Sequence, residues 1–336
     1  PNIIKRQKPK VAALSIKSFS IQSLLMILFL GFCIIVGRGG LQLRPLSIIH
    51  ATAHADAKLS PLILNTPFTL MTTYGHEGIV DRNYFDSETI KTHYNLLKKP
   101  NLENEFNKKN IVIILLESFS KEYVGSMNDY KGYTPFLDSL MKKSLVFTNA
   151  YSNGYRSLDA IPAAVTSIPC LMDDPIITSV YSNNSYTTLP NLLREKNYYS
   201  AFFHGGTNGT LGLDGFAKLL GFQDYFGRTE YNNDDDFDNY WGIYDEPFLE
   251  FMNEKLDEFP QPFIVMEFTL SSHYPYSLPQ EYVNTFKEGP LKIHRVVRYT
   301  DNALRKFFES AKTKEWFKNT IFIISADHPA QSVIPA

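Results

Sequence analysis

The apolar positions of this chain fall into one long block near its start and several short blocks spread over its last two thirds. The long block runs from Ile21 to Val36, inside a stretch from Ser18 to Gly37 with no charged residue. It is about the length a helix needs to cross a bilayer. The short blocks are 111–116, 145–149, 198–203, 263–270 and 320–326, and each predicts a strand. The blocks at 111–116 and 320–326 are short apolar runs of the kind found in buried parallel strands. Between them lie helical patterns at 135–142, 158–166, 191–196, 246–258 and 291–311, the last long and amphipathic. Thr134 is the expected cap of the first of these, and Ser87 that of an earlier helix at 88–98. Strands alternating with helices predict an α/β fold: a mostly parallel sheet sandwiched by helices and preceded by a transmembrane helix.

Charge orients the long block. Lys5, Arg6, Lys8, Lys10 and Lys17 precede it, whereas only Arg38 and Arg44 follow closely. That asymmetry predicts a basic cytoplasmic end at 1–20, a span at 21–37 and everything later outside the cytoplasm. A cleaved signal peptide is the alternative, with Ala51-Thr-Ala53 or Ala53-His-Ala55 as its small-residue site. Both readings place the remainder beyond the cytoplasm. Residues 38–108 read as a connector with short helices, and 109–336 as the globular domain. The eight residues after His328 offer little to cover a last strand, so the domain is expected to be truncated at its C-terminal side.

Composition adds little. With 33 Lys and Arg against 35 Asp and Glu, the net charge of −2 gives no sign of a nucleic-acid partner. Aromatics make up 14% of the 336 residues, enough for a large core. The two cysteines, Cys33 and Cys170, set no redox compartment. Oligomeric state is not readable.

Candidate chemistry sits at the strand ends. In open α/β sheets the ligand lies beyond the carboxyl ends of the strands. Block 111–116 runs into Glu117, and block 320–326 runs into Asp327-His328. Two carboxylates and an imidazole on one rim make a divalent-metal site suited to zinc or manganese. Transfer or hydrolysis at phosphorus or sulfur needs such a cation to neutralise oxygens and acidify a nucleophile. Ser157 follows the loop Asn153-Gly-Tyr-Arg156 and opens a helix, where free N–H groups and the helix dipole favour an anion. A plain capping serine is the alternative. Arg156 can donate to phosphate oxygens. His204 and His273 follow two further strands and can serve as donors to substrate oxygens or to a leaving group. Trp241 is a candidate aromatic wall. The run Asp234-Asp-Asp-Phe-Asp238 lacks calcium-loop spacing and reads as a solvated acidic loop.

Taken in order, Gly37–Pro45, Asn110–Ser118, Asn153–Pro169, Phe202–Gly206, Trp241–Glu250, Thr269–Tyr276 and Ser325–His328 resemble the lipoteichoic acid synthase group. This is the membrane-anchored phosphoglycerol transferase branch of the sulfatase/alkaline phosphatase superfamily. The resemblance implies one catalytic metal on Glu117, Ser157, Asp327 and His328, manganese being usual in this branch, with zinc or magnesium as alternatives. It puts Ser157 where the family has a threonine nucleophile and Arg156 where a lysine is usual. His204, His273 and Trp241 would line the substrate site. The implied activity is a two-step phosphotransferase or phosphodiesterase at the cell membrane, acting on a lipid or glycan phosphate ester.

Some positions depart from that pattern. Leu213 stands where the family has an arginine that holds glycerol phosphate. One membrane helix stands in place of the usual five, as expected of a chain truncated at its N-terminal side. A sulfuric ester hydrolase of the same fold is the rival, but Asp159 and Ile161 occupy the places where its formylglycine signature needs Pro and Arg. The change at Leu213 motivates a third reading, a membrane-tethered binding protein without catalysis.

Overall fold

The computed structural model describes residues 15–41, 45–55, 59–76, 78–94 and 105–330. The basic residues Lys5 to Lys10, the end of the helix expected at 88–98, residues 99–104 of the connector and the last six residues lie outside that set. The described chain forms two units that divide after Leu46.

The first unit is the helix Ile16–Arg38. Ser15 opens it by accepting the Ser18 N–H at 3.2 Å. Gly39, left-handed at φ +82, closes it, and a Cβ at Gly39 would lie 2.2 Å from the Leu46 side chain. No residue of this helix is buried. Leu24, Ile27 and Phe32 are 58%, 66% and 63% exposed. A helix apolar on every side, unpacked against protein and 23 residues long, is long and apolar enough to cross a membrane.

The second unit is built on a parallel sheet of five strands: β1 (Asn110–Leu116), β2 (Tyr199–Phe203), β3 (Asp224–Phe226), β4 (Phe263–Phe268) and β5 (Thr320–Ala326). Their order is β3-β2-β4-β1-β5. Alternation along each strand feeds two cores. Val112, Ile114, Ala201, Phe203 and Val265 face one side, packed by the helices Pro135–Met141, Asp245–Glu258 and Ile293–Ala311. Ile113, Leu115, Phe202, Ile264 and Met266 face the other, against Ser157–Thr166, Leu189–Arg194 and Leu213–Leu219. The short 3-10 helix Ile48–Ala53 joins that second layer: Ile49 is 2% exposed, and Thr52 donates its hydroxyl to the Gly215 carbonyl at 2.7 Å. This is the expected sheet with helices on both faces. β5 is an edge strand, with Ile321 and Ile323 half exposed on one side.

Several local expectations are corrected. Residues 145–149 form no strand; Leu145 and Phe147 are 84% and 73% exposed, and the segment has no ladder partner. β3 escaped notice because three residues are too few to show a period. The helix Leu213–Leu219 escaped because it starts beside Gly212, itself at φ +71. Thr134 donates to the Tyr123 carbonyl and does not cap; the Phe136 and Leu137 N–H groups go to the carboxylate of Asp301, both at 2.9 Å. Ser87 is replaced as cap by Asp86, which accepts from Thr89 N at 2.8 Å.

Glu267 on β4 pairs in register with Ile114 and Phe203 and is 1% exposed, and its Oε2 has no hydrogen-bond partner. Burial, then the nearby Asp245 carboxylate, pushes its carboxyl well above the usual range. The folded state therefore holds a proton that the unfolded chain releases, and stability is lost as pH rises above the unfolded value. Glu267→Gln should be more stable than the parent by about 1–3 kcal/mol at pH 8 and nearly equal to it at pH 4, in urea melts. A constant difference across that range would count against it.

Candidate active site

All five strands point the same way, so β1, β2, β4 and β5 deliver their carboxyl ends to one rim. Glu117 follows β1, His204 follows β2, the loop Thr269–His273 follows β4, and Asp327-His328 follows β5. β1 and β5 are hydrogen-bonded neighbours, with Leu116 level with Ala326, which puts Glu117 and Asp327 side by side.

Ser157 joins them from the helix layer. It is the first residue of the helix Ser157–Thr166, with Arg156 at the cap position. Its Oγ donates to Glu117 Oε2 at 2.9 Å and lies 3.3 Å from His328 Nε2. His328 Nδ1–H donates to the Pro329 carbonyl at 3.0 Å, so Nε2 turns inward. That nitrogen is 3.2 Å from Asp327 Oδ2 and 3.9 Å from Glu117 Oε1. The structure thus brings together four side chains that are scattered over the sequence.

The electrostatics of this cluster are unusual. Glu117 and Asp327 are 2% and 1% exposed. Burial, reinforced by the neighbouring Glu117 carboxylate, pushes the Asp327 carboxyl up to about 8, against the pull of His328. Burial also raises Glu117, in spite of hydroxyls from Ser118 and Ser157. Asp327 Oδ2 is buried without a hydrogen bond, its contact with His328 being close but badly aligned. One donor atom each from Glu117, Asp327 and His328 lies within 4.8 Å of the others. Two buried carboxylates, an imidazole and an open carboxylate oxygen fit a divalent cation.

His204 is 4% exposed, stacks on Phe268 and donates Nδ1–H to the Phe268 carbonyl at 3.0 Å. Burial lowers it to about 4, so the ring is neutral and Nε2 is an acceptor. A Cβ at Gly206 would lie 2.7 Å from that Nε2, so glycine leaves it accessible. His273 donates Nδ1–H to the Tyr274 carbonyl at 2.8 Å and packs edge-on against Trp241 at 4.4 Å. Trp241 Nε1–H donates to the same carbonyl at 2.7 Å. Arg156 is turned toward the Asp173 carbonyl and Asp159, although 45% of its side chain is exposed.

Sequence reasoning missed the residues that hold these groups. Asp238 is not part of a solvated acidic loop: it is 4% exposed, and its Oδ1 accepts the N–H groups of Tyr240, Trp241 and Gly242 at 2.7–3.0 Å. That carboxylate shapes the turn carrying Trp241. Asp245 Oδ1 accepts Leu270 N and Ser271 N at 2.8 and 2.9 Å, which fixes the loop leading to His273. Thr269 accepts Glu117 N at 2.8 Å, and Ser272 donates to the Glu117 carbonyl at 2.5 Å. The only hint in the sequence was the polar run Thr269-Leu-Ser-Ser272 straight after an apolar block.

Comparison with known proteins adds a family. The sequence model of the sulfatase family matches residues 109–333. The chain is 27% identical over 228 residues to the lipoteichoic acid synthase-like protein YvgJ of Bacillus subtilis, an alignment covering 66% of this chain and 37% of that protein. It is 25% identical over 242 residues to phosphoglycerol transferase I of Citrobacter koseri, covering 66% of this chain and 31% of that one. A solved protein of the alkaline phosphatase superfamily from Vibrio parahaemolyticus superposes with a TM-score of 0.62 at 32% identity, covering 68% of this chain and 56% of that chain. The chain spans about a third of the length of these two curated relatives.

Proposed function

This chain belongs to the sulfatase family, and on that footing we propose that it is a membrane-anchored, metal-dependent phosphotransferase or phosphodiesterase with its catalytic domain outside the cytoplasm. Its substrates are lipid- or glycan-linked phosphate esters. The observation that carries the reading is the Ser157 hydroxyl at the first turn of a helix, hydrogen-bonded to Glu117 and beside His328. The relatives named for lipoteichoic acid synthesis and phosphoglycerol transfer support phosphorus as the reacting centre. The helix Ile16–Arg38 supports the anchor.

Glu117, Asp327, His328 and Ser157 would hold one divalent ion, manganese by preference, which supplies charge neutralisation at phosphate oxygens and a more acidic nucleophile. Ser157 Oγ attacks phosphorus, and the new Oγ–P bond forms as the bond to the donor alcohol breaks. In the balance of this step the serine proton ends on the departing alcohol. His273, on the rim with Nε2 free, can relay it. Water or an acceptor hydroxyl then attacks the covalent ester, and its proton returns to Ser157. His204 Nε2 accepts a hydroxyl proton of the substrate. Trp241 walls the site, and Arg156 can turn from the Asp173 carbonyl to the phosphate.

Mass analysis of the peptide around Ser157, after rapid acid quench with a phosphodiester donor, tests this. The expected peptide gains a phosphoryl-headgroup mass on Ser157 and is otherwise an unmodified serine. Conversion of Ser157 to formylglycine would move the protein to sulfate-ester hydrolysis. An unmodified peptide during active turnover would remove the covalent step.

A further inference from the structure

Glu117 and Asp327 come from strand ends some two hundred positions apart, yet Ser118 hydrogen-bonds to both. Ser118 adopts φ +55, the left-handed region that residues other than glycine and asparagine seldom enter. In this conformation its N–H donates to Asp327 Oδ1 at 2.7 Å, while its hydroxyl donates to Glu117 Oε1 at 2.5 Å. The residue is 6% exposed, so both bonds are shielded from water. The backbone around it is pinned as well, by Thr269 on Glu117 N–H and Ser272 on the Glu117 carbonyl.

We infer that Ser118 is a positioning residue that builds the metal site before any ion arrives, by orienting both carboxylates and choosing which of their oxygens remain open. The inference rests on the metal reading given above. Asp327 Oδ1 is taken by two N–H donors, from Ser118 at 2.7 Å and His328 at 2.6 Å. Asp327 Oδ2 has no hydrogen bond, so it is the ligand atom left over. Glu117 Oε1 carries the Ser118 hydroxyl and Oε2 the Ser157 hydroxyl, so each oxygen keeps a lone pair and the plane of the carboxylate is set. A glycine at 118 would make the same turn without strain and keep the N–H, but it would bring no hydroxyl.

The test is Mn(II) affinity of the full chain in detergent, read from the free-ion electron paramagnetic resonance signal, for the parent, Ser118→Gly and Ser118→Ala. Both variants should bind Mn(II) about 10- to 100-fold more weakly. Ser118→Gly should unfold in chelator at a temperature no lower than the parent, because it relieves the left-handed strain. This separates loss of the site from loss of the fold; Ser118→Ala, which keeps the N–H as well, repeats the reading if glycine loosens the turn. Equal Mn(II) affinity in the parent and in a folded variant overturns the inference. A parent that binds no Mn(II) overturns the metal reading beneath it, which is a distinguishable result.

Discussion

Ser157→Ala should lower turnover of a phosphodiester substrate by about 10³-fold or more while the protein still folds and still binds Mn(II). The size of the effect follows from the role: no other hydroxyl among the described residues stands between Glu117 and His328. The fold should hardly notice the change. Ser157 is the first residue of its helix, where alanine is tolerated, and its hydroxyl makes no bond to the backbone. The cost in stability should stay near 1 kcal/mol, the value of a typical hydrogen bond. Ion binding should persist because Glu117, Asp327 and His328 are untouched. Steady-state rates, thermal melts and Mn(II) titration of one preparation check all three. An alanine variant with parental turnover would take Ser157 out of the reaction.

The second large effect concerns Asp327 and the cation together. In chelator, the Asp327 carboxyl is held up at about 8, against an ordinary value near 3.8, first by burial and then by Glu117. The folded protein keeps this proton while the unfolded chain sheds it, so stability falls as pH rises from about 4 toward 8, by up to about 1.4 kcal/mol per pH unit. Asp327→Asn cannot ionise and should lose far less over the same window. Mn(II) should reverse the order. Added at 100 times its dissociation constant, it stabilises the parent by about 2.7 kcal/mol and the asparagine variant by little or nothing. Urea melts of both proteins at pH 5 and pH 8, with chelator or with Mn(II), give the comparison. Parallel pH slopes in chelator would contradict the raised Asp327 carboxyl, and equal stabilisation of both proteins by Mn(II) would contradict a cation bound there.

The strand framework was legible because each buried parallel strand is a short apolar run, and the ends of such runs mark the ligand-facing rim. Glu117, His204 and Asp327-His328 could be found that way. The residues that hold them could not. Ser118 matters through a left-handed backbone angle, Asp238 through burial of a carboxylate inside an acidic run, and Asp301 through capping a helix more than 150 positions away. None of these leaves a periodic trace, since each depends on which elements the fold brings together. The apolar cluster Leu145-Val-Phe147 misled for the opposite reason. Strand propensity is realised only beside a ladder partner, and Leu145 and Phe147 have none.

We propose that Glu117, Ser157, Asp327 and His328 surround one divalent ion. Anomalous diffraction from crystals grown with Mn(II) tests it most directly. A single strong peak is expected within coordination distance of Glu117, Asp327 Oδ2, His328 Nε2 and the Ser157 hydroxyl. Manganese elsewhere, with Ser157 still hydrogen-bonded to a metal-free Glu117, would contradict it.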